Sequence, residues 1–288
     1  MKRITIRQLR YFKALAHHAH FGRAAEECSV SQPALSLQIK QLEEILGAQL
    51  VERGGRGTRL TALGEAIAER IQGILLRVDE LGNYAQSIQS TLTGEFRIGA
   101  IPTVAPYLLP TVVKNLALHC PGLKVRPREA ITQKLIADLL DADLDAALMA
   151  LPILDPSLTS VELLTEEFVL VRPFEDQEKP VPDARMLREM ELLLLEEGHC
   201  FRDQALSFCS SAPKSLMEGS SLSTLVQMVG AGIGVTLIPK MAVTLERRSA
   251  DVSISRLAPP RPTRTIGLVW RRSNPLSEQL SEIARVIQ

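Results

Sequence analysis

The apolar positions of the first 60 residues recur at the spacing of short helices. Three such runs predict helices over residues 6–19, 22–28 and 31–46. Ser31 is a suitable N-cap for the third helix, and Pro33 lies in its first turn, where the missing N–H does no harm. Because only two residues join the second and third runs, they predict a helix, a tight turn and a helix.

Two further patterns follow this region. Residues 49–60 hold two short apolar segments around a tip rich in Gly and Arg, which predicts a two-stranded wing. Apolar residues then repeat every seven positions in two rows, Leu60, Ile67, Ile74, Leu81 and Ile88, and Ile71, Val78, Ala85 and Leu92. With Thr61 as N-cap, a helix of about 30 residues spans roughly 45 Å and cannot bury both rows alone. The four heptads favour pairing with a second copy over packing on its own domain.

Beyond residue 93, apolar runs of strand length alternate with stretches of helix length. The predicted strands cover residues 96–101, 123–129, 146–150, 168–172, 191–195, 234–238 and 266–271. The predicted helices cover residues 106–119, 132–142, 202–211, 221–230 and 275–287. This alternation predicts an α/β class with βαβ units, mostly parallel sheets and two lobes around a cleft. The proline-rich segment 258–262 predicts a return crossing between the lobes.

Charge is distributed unevenly along a chain whose net charge is zero. Residues 1–60 hold ten Lys and Arg residues against five Glu residues, a net charge of +5, so the remainder carries −5. A basic head on an acidic body favours a polyanion as the partner of the head. The sequence has no run of 18 apolar residues, and its start lacks the apolar core of a secretory signal. We therefore expect a cytoplasmic protein without a membrane span.

The predicted third helix carries polar residues suited to a DNA major groove. Gln and Lys side chains reach base edges, and Ser reaches bases or phosphate. The candidates are Gln32, Ser36, Gln38 and Lys40, with Ser31 and Pro33 at the helix start, where phosphate is favoured. The wing adds Arg53, Arg56 and Arg59 for the neighbouring backbone or minor groove. Each residue alone fits a solvated surface equally well, but together with the local charge they predict DNA binding.

The motifs of the first 64 residues strongly resemble those of the LysR-type transcriptional regulators. They are Phe21-x-x-Ala24-Ala25, Ser31-Gln32-Pro33-Ala34-Leu35-Ser36-x-Gln38-Ile39-x-x-Leu42-Glu43, Leu46-Gly47-x-x-Leu50-Val51-x-Arg53 and Leu60-Thr61-x-x-Gly64. The resemblance covers the whole chain in the order of its parts. It implies a winged helix-turn-helix domain over 1–60, a linker and dimerisation helix over 61–92, and a two-lobed effector domain over 93–288.

The same resemblance implies how these parts are arranged and what they bind. The lobes are expected to be Rossmann-like and of periplasmic-binding-protein type, lobe I at about 93–163 plus 266–288 and lobe II at about 164–265. We expect homodimers and a tetramer, built as a dimer of dimers through residues 61–92 and the effector domain. The expected partner is double-stranded promoter DNA with a pseudo-palindromic site. RNA polymerase is a further candidate partner, and we expect neither enzyme activity nor a cofactor.

Four cysteines occur: Cys28, Cys120, Cys200 and Cys209. Since no C-x-x-C pair is present, we expect no metal site. Cys200 lies at the predicted start of a helix, between His199 and Arg202. The helix dipole and two basic side chains are expected to lower the thiol pKa, and a thiolate can attack peroxide oxygen to become a sulfenic acid.

Cys209 is the candidate resolving thiol that condenses with the sulfenic acid into a disulfide. On one helix the two Cα atoms are about 13 Å apart along the axis, on opposite faces. Because a disulfide needs Cα atoms within about 7 Å, the helix must unwind, and closing the loop is worth roughly 2–3 kcal/mol. The alternative is that both cysteines are small buried hydrophobic residues.

Three further segments are similar to the peroxide-sensing members of the LysR-type family. They are Ile101-Pro102-Thr103-Val104-x-Pro106-Tyr107-Leu108-Leu109-Pro110, Gly198-His199-Cys200-x-Arg202-Asp203-Gln204-Ala205-x-x-Phe208-Cys209 and Arg264-Thr265-Ile266-Gly267-Leu268-Val269. The similarity implies that Cys200 is the peroxidatic thiol and that Cys209 resolves it. It also implies that Thr103, Thr132 and His199 help to place hydrogen peroxide. The candidate activating residues are completed by Arg202, Asp203 and Arg264.

Some of these assignments have alternatives. Thr132 also fits a helix N-cap, and Arg264 also fits a partner of an acid such as Asp203. The chain departs from the peroxide-sensing pattern at Leu216 and Glu218, where related chains can carry His and Arg.

Three other functions compete with peroxide sensing. A LysR-type regulator that binds a small molecule in the interlobe cleft keeps DNA binding and makes the thiols incidental. A thiol peroxidase needs repeated turnover with a reductant, which a DNA-binding head does not serve. A solute-binding protein of the same two-lobed fold is opposed by the basic head and by the missing signal sequence.

Overall fold

The computed structural model of the protein describes residues 3–52, 58–87, 93–209 and 215–287. The chain forms two compact units, Met1–Asn83 and Tyr84–Gln288. This division falls inside a long helix, and the predicted domain boundaries after residues 60 and 92 stay predictions.

The described part of unit 1 consists of four helices and one β-bridge. The helices are α1 (Ile6–His18), α2 (Phe21–Glu27), α3 (Gln32–Leu46) and α4 (Ala62–Ser87), and the bridge joins Val51 to Leu60. The predicted N-cap is confirmed, because Ser31 Oγ accepts a hydrogen bond from the Ala34 N–H at 3.4 Å. The three predicted short helices are confirmed as well. The bridge lies at the base of the predicted wing, whose tip, residues 53–57, lies outside the described residues.

A buried carboxylate fastens the wing to the third helix. Glu43 in α3 is buried, and its Oε1 accepts hydrogen bonds from the N–H groups of Leu50 at 2.8 Å and Val51 at 3.2 Å. Burial of a charge costs free energy unless the charge is compensated, and here backbone donors compensate it. The same segment is held by the core of unit 1, to which Phe12 and Leu35 contribute fully buried side chains.

The long helix α4 divides its apolar residues between two environments. Thr61 caps its start, because its Oγ1 accepts from the Gly64 N–H at 3.0 Å. Ile71 and Leu75 are buried in the core of unit 1, whereas Ile74 and Leu81 are 48% and 70% exposed. The alternative of packing on its own domain therefore holds for Ile71 and Leu75, while Ile74 and Leu81 are left exposed among the described side chains.

Unit 2 contains the strands and helices of the predicted α/β region. The strands are β1 (Gly94–Ala100), β2 (Leu123–Glu129), β3 (Ala146–Leu151), β4 (Leu158–Pro173), β5 (Glu191–Leu195), β6 (Ser215–Gly219), β7 (Val235–Pro239), β8 (Val252–Arg256) and β9 (Thr263–Arg271). The helices are α5 (Ala105–His119), α6 (Thr132–Leu140), α7 (Ala184–Glu189), α8 (Cys200–Cys209), α9 (Leu222–Gly230), α10 (Val243–Glu246) and α11 (Ser277–Ile287), with 3₁₀ turns at Phe174–Asp176 and Lys240–Ala242. All predicted strands and helices are present, and β6, β8, α7 and α10 were not predicted.

The prediction of mostly parallel sheets is wrong. The strand order is β2-β1-β3-β9-β4-β7-β5-β6, with β8 also paired to β4. Four pairings are parallel, β1 with β2 and β3, and β5 with β6 and β7. Four are antiparallel, β9 with β3 and β4, and β4 with β7 and β8. The reason is that β4 and β9 carry the chain between the lobes and run against the strands of the βαβ units.

Strand β4 belongs to both lobes. Its residues 158–167 pair with β9 in the first sheet, and residues 168–173 pair with β7 and β8 in the second. Only the second part was predicted, because Glu162, Glu166 and Glu167 interrupt the apolar pattern of the first.

Each lobe has its own hydrophobic core. The first contains Phe96 and Leu148, and the second contains Phe168 and Phe201. Cys200 is partly buried against the first core, although the next residue along the chain lies inside the second. The first turn of α8 therefore sits where the two lobes meet.

Candidate redox site and DNA-binding surface

The turn before α8 directs Cys200 towards lobe I. Gly198 has φ +93°, a left-handed conformation that glycine adopts without a steric penalty. A Cβ at this glycine would lie 3.3 Å from the Ile131 side chain, so the turn packs closely on the start of α6. Cys200 is then the first residue of α8, as expected from the sequence.

Arg264 in β9 is the cation of the site. It is almost completely buried, its Nε donates to Glu166 Oε1 at 2.9 Å, and its Nη1 donates to Thr103 Oγ1 at 2.7 Å. The guanidinium also lies 5.3 Å from the centre of the Phe201 ring. Burial lowers the pKa of Arg264 and Glu166 opposes that change, so the group stays charged at neutral pH. The sequence suggested an acid such as Asp203 as an alternative partner of Arg264, but the partner in the structure is Glu166.

Thr103 and Thr132 present hydroxyl groups to the same crevice. Thr103 is buried and accepts from Arg264, so its own proton is directed elsewhere. Thr132 is the first residue of α6, and its side chain makes no cap hydrogen bond, which removes the alternative of an N-cap role. Its hydroxyl is buried without a standard hydrogen bond among the described residues. It stabilises the thiolate of Cys200 and so lowers the pKa of that thiol.

The pKa of Cys200 is nevertheless raised overall, which corrects the expectation from the sequence. Burial is the largest cause, and it outweighs the opposing effects of Thr132 and Arg264. Asp203 raises the pKa further. The sequence around Cys200 indicates the helix start and the flanking basic residues, but it does not reveal that lobe I buries the thiol. The resting structure thus holds the sulfur as a protonated thiol at neutral pH.

Two basic residues expected to activate Cys200 do not do so in this structure. Arg202 is engaged elsewhere, since its Nη1 donates to Glu218 Oε1 at 2.6 Å and to the Leu195 carbonyl at 2.9 Å. Burial lowers the pKa of His199, so its imidazole is neutral at neutral pH and adds no positive potential. A neutral imidazole keeps the capacity to accept or donate one proton.

The crevice beside Cys200 is narrow. It is lined by Ile101, Thr103, Thr132, His199 and Cys200, among other residues, and encloses about 160 Å³ between atoms. At no point does it hold a sphere the size of a water molecule. The crevice therefore leaves no room for a bulky ligand beside Cys200.

The other cysteines differ from Cys200 in their surroundings. Burial raises the pKa of Cys28, and Glu27 raises it further. Burial and Glu282 raise the pKa of Cys120 in the same way. Cys209 ends the ten-residue helix that Cys200 begins, which places their Cα atoms about 13 Å apart along its axis. Among the cysteines with described side chains, Cys200 alone has groups that stabilise its thiolate.

The exposed face of α3 carries most of the predicted DNA-binding residues. Gln32, Pro33, Ser36 and Lys40 are exposed there, and Ser31 is exposed at the N-cap. These residues lie on the side of the helix that faces solvent, away from the buried Leu35 and Ile39. This surface carries polar side chains of the kinds that contact base edges and phosphates.

Gln38 is less exposed than the rest of that surface. Two residues on from Ser36, it is rotated by about 200° around the helix axis, and it is half-buried rather than exposed. Leu37 is 54% exposed on the predicted face and was not predicted; an apolar side chain there suits the methyl group of thymine. Arg59 is exposed, while Arg53 and Arg56 lie outside the described residues.

Glu166 is the main site residue that the sequence did not indicate. It is buried, binds Arg264, and its Oε2 accepts from the Met241 N–H at 2.7 Å. It lies 98 residues from Arg264 along the chain, so only the strand pairing of β4 and β9 brings the two together.

Within the described residues, every helix is too short or too polar to span a bilayer.

Comparison with known proteins agrees with both units. The family model of the LysR substrate binding domain matches residues 89–288, and that of the bacterial regulatory helix-turn-helix proteins of the LysR family matches residues 6–65. The chain is 40% identical over 292 residues to the DNA-binding transcriptional dual regulator OxyR of Escherichia coli K12, covering 99% of this chain and 95% of that protein.

Solved structures give the same result. Full-length OxyR of Pseudomonas aeruginosa with a cysteine-to-aspartate change is similar at a TM-score of 0.78 and 35% identity, covering 100% of this chain and 95% of that one. A hydrogen-peroxide-bound cysteine-to-serine mutant of Corynebacterium glutamicum OxyR is similar at a TM-score of 0.67 and 33% identity, covering 100% and 92% of the two chains.

A helix-turn-helix unit and a two-lobed α/β unit in one chain define a DNA-binding transcription regulator with an effector domain, not an enzyme. The chain belongs to the LysR family of such regulators.

Proposed function

We propose that this regulator senses hydrogen peroxide at Cys200 and controls antioxidant genes through a Cys200–Cys209 disulfide. The observation that carries the proposal is the difference between the cysteines with described side chains. Thr132 and Arg264 stabilise a thiolate at Cys200, and no such group acts on Cys28 or Cys120. The similarity to OxyR proteins, one of them bound to hydrogen peroxide, supports the choice of oxidant.

The oxidation proceeds in two balanced steps. The Cys200 thiolate attacks one peroxide oxygen, the O–O bond breaks, and the leaving hydroxide takes a proton to become water, which leaves a sulfenic acid. The thiolate of Cys209 then attacks the sulfenic sulfur, the S–O bond breaks, the leaving hydroxide takes a proton to become a second water, and the disulfide forms. Two electrons pass from the pair of sulfurs to one peroxide.

The residues around Cys200 have distinct proposed roles. Arg264 stabilises the negative charge that the sulfur bears before attack, and Glu166 holds Arg264 in place. The hydroxyl groups of Thr103 and Thr132 place the peroxide, and the neutral His199 handles the proton that hydroxide needs. We assign no activating role to Arg202 or Asp203 in the reduced state, because one is paired with Glu218 and the other raises the pKa of Cys200.

Disulfide formation requires α8 to unwind. A disulfide needs Cα atoms within about 7 Å, and a ten-residue helix keeps its ends farther apart. The first turn of α8 touches both lobe cores, so its loss changes how the lobes pack. This couples oxidation to the shape of the effector domain.

DNA recognition is assigned to the exposed face of α3. Ser31, Gln32, Pro33, Ser36 and Lys40 contact the major groove and its phosphates, with Arg53, Arg56 and Arg59 of the wing on the flanking backbone. The exposed apolar residues of α4 pair with a second copy, and the effector domains complete a tetramer. RNA polymerase is the partner through which the bound regulator acts on promoters.

Peptide mass mapping tests this proposal together with DNA footprinting on the same samples. The reduced full-length protein receives a sub-stoichiometric pulse of hydrogen peroxide. We expect a cross-link between Cys200 and Cys209 and a changed footprint, both lost in Cys200→Ser and both retained in Cys28→Ser and Cys120→Ser. A Cys200→Ser protein whose footprint still responds to peroxide contradicts the proposal and favours a small-molecule signal.

A further inference from the structure

Two histidines and one glutamate converge where α1 and α2 end. His17 and His18 are the last residues of α1, and Glu27 is the last residue of α2. His18 Nε2 lies 2.5 Å from Glu27 Oε2, and His17 Nδ1 lies 3.9 Å from the same oxygen. One nitrogen or oxygen atom from each side chain lies within 4.8 Å of the other two.

The chemistry of the three groups matches a transition-metal ligand set. Two imidazoles and one carboxylate bind zinc-like ions through three protein atoms and leave further positions for water. Ligand atoms around tetrahedral zinc are roughly 3.4 Å apart, given bond lengths of about 2.0–2.1 Å. The separations of 2.5 Å and 3.9 Å lie on either side of this value, and the His17 side chain is 60% exposed, which leaves it room to rotate.

The surrounding backbone adds a second, independent preference for a cation. Both helices end at these residues, so all three side chains belong to the last turn of a helix. The partial negative charge at a helix C-terminus attracts positive charge. His20, the nearby third histidine, is already used as the N-cap of α2, since its Nδ1 accepts from the N–H groups of Gly22 and Arg23.

We propose that His17, His18 and Glu27 form a binding site for a divalent transition-metal ion of the zinc class, which ties α1 to α2 in the DNA-binding unit. The sequence predicted no metal site, and the ten-residue separation between His17 and Glu27 matches no common ligand motif. The alternative is that the His18–Glu27 hydrogen bond alone joins the helices. The proposal does not depend on peroxide sensing.

Cobalt(II) titration of the reduced full-length protein tests the site. Cobalt bound by imidazole and carboxylate gives visible d–d bands without the intense near-ultraviolet sulfur-to-cobalt band of a thiolate site. We expect one such cobalt, displaced by zinc, with affinity lowered about tenfold or more in His17→Ala and Glu27→Gln. The matched control is His119→Ala, which removes an exposed histidine at the end of α5 in the other unit.

Thermal unfolding with and without zinc gives a second measurement. Since a metal that binds only the folded form stabilises it, zinc should raise the unfolding midpoint of wild type and His119→Ala but not of His17→Ala or Glu27→Gln. The metal-free midpoints of all four proteins establish that each variant folds. Equal cobalt affinity in wild type and His17→Ala overturns the proposal, and so does binding accompanied by the thiolate band.

Discussion

Cys200 in unit 2 and Cys28 in unit 1 are both partly buried and both have a raised pKa. They differ in what faces the sulfur. Cys28 has Glu27, whose charge opposes ionisation, whereas Cys200 has Thr132 and Arg264, which favour it.

Burial and reactivity are therefore separate properties of a thiol. Burial keeps the Cys200 thiol protonated at rest, and the neighbouring groups stabilise the thiolate once it forms. Cys120 resembles Cys28, because burial and the charge of Glu282 both raise its pKa.

The largest expected effect comes from removing the cation of the Cys200 site. Arg264→Met leaves Glu166 buried without its partner, which should lower the free energy of unfolding by about 3–5 kcal/mol. Denaturant unfolding measures this. Arg126→Met is the control, since its pair with Glu95 is solvent-exposed and worth about 0–1 kcal/mol.

A double substitution separates stability from reactivity at the same site. Replacing both Arg264 and Glu166 with Met removes the unpaired charge, so most of the lost stability should return. The rate of Cys200 oxidation by peroxide should stay low, because the cation is still absent. Recovery of the rate along with the stability would break the comparison with Cys28.

The pH dependence of oxidation is the next largest effect. The pKa of Cys200 is raised, so through the neutral range the thiolate is a minor form that increases about tenfold for each pH unit. The peroxide rate constant of Cys200 should rise in proportion as pH rises. Stopped-flow kinetics on the Cys28→Ser, Cys120→Ser protein measures it, and a plateau near neutral pH would show a lowered pKa instead.

Thr132→Val tests how much a single hydroxyl group contributes to the oxidation of Cys200. The substitution keeps the shape of the side chain and removes a hydroxyl that stabilises the thiolate once it forms, and a hydrogen bond to a charged group is worth about 1.5–3 kcal/mol. Oxidation of Cys200 at neutral pH should slow by about tenfold or more. Thr159→Val in β4, where the residue pairs with Trp270, is the control and should leave the rate unchanged.

The smallest effect is expected at Cys28. Glu27→Gln removes the charge that raises the pKa of Cys28, so alkylation of Cys28 by iodoacetamide should become faster. Because Glu27 is half exposed and its charge is screened by solvent, we expect a change of only about two- to threefold. Peptide mass spectrometry measures it, with Cys120 as the internal reference.

The sequence predicted local structure well, because local signals define it. The helix start at Ser31, the cap at Thr61 and the position of Cys200 at the start of α8 all follow from neighbouring residues. The exposed face of α3 was predicted apart from Gln38, whose rotation relative to Ser36 is a matter of helix geometry.

Properties that depend on distant residues were not predicted. The direction of the Cys200 pKa shift was wrong, because its burial comes from lobe I, which the local sequence does not reveal. Glu166 was missed for the same reason, since it meets Arg264 only through the pairing of β4 with β9. The mixed character of the sheets likewise follows from how the chain crosses between lobes.

Strand β4 has a mechanical consequence for signalling. Since one continuous strand is hydrogen-bonded into both sheets, the lobes lack a loose tether at this crossing, and a rearrangement beside Cys200 has to be absorbed as torsion along the strand. The bulge between Glu162 and Leu164 interrupts the regular pairing of this strand. A rearrangement at the first turn of α8 would reach both sheets through one hydrogen-bonded strand.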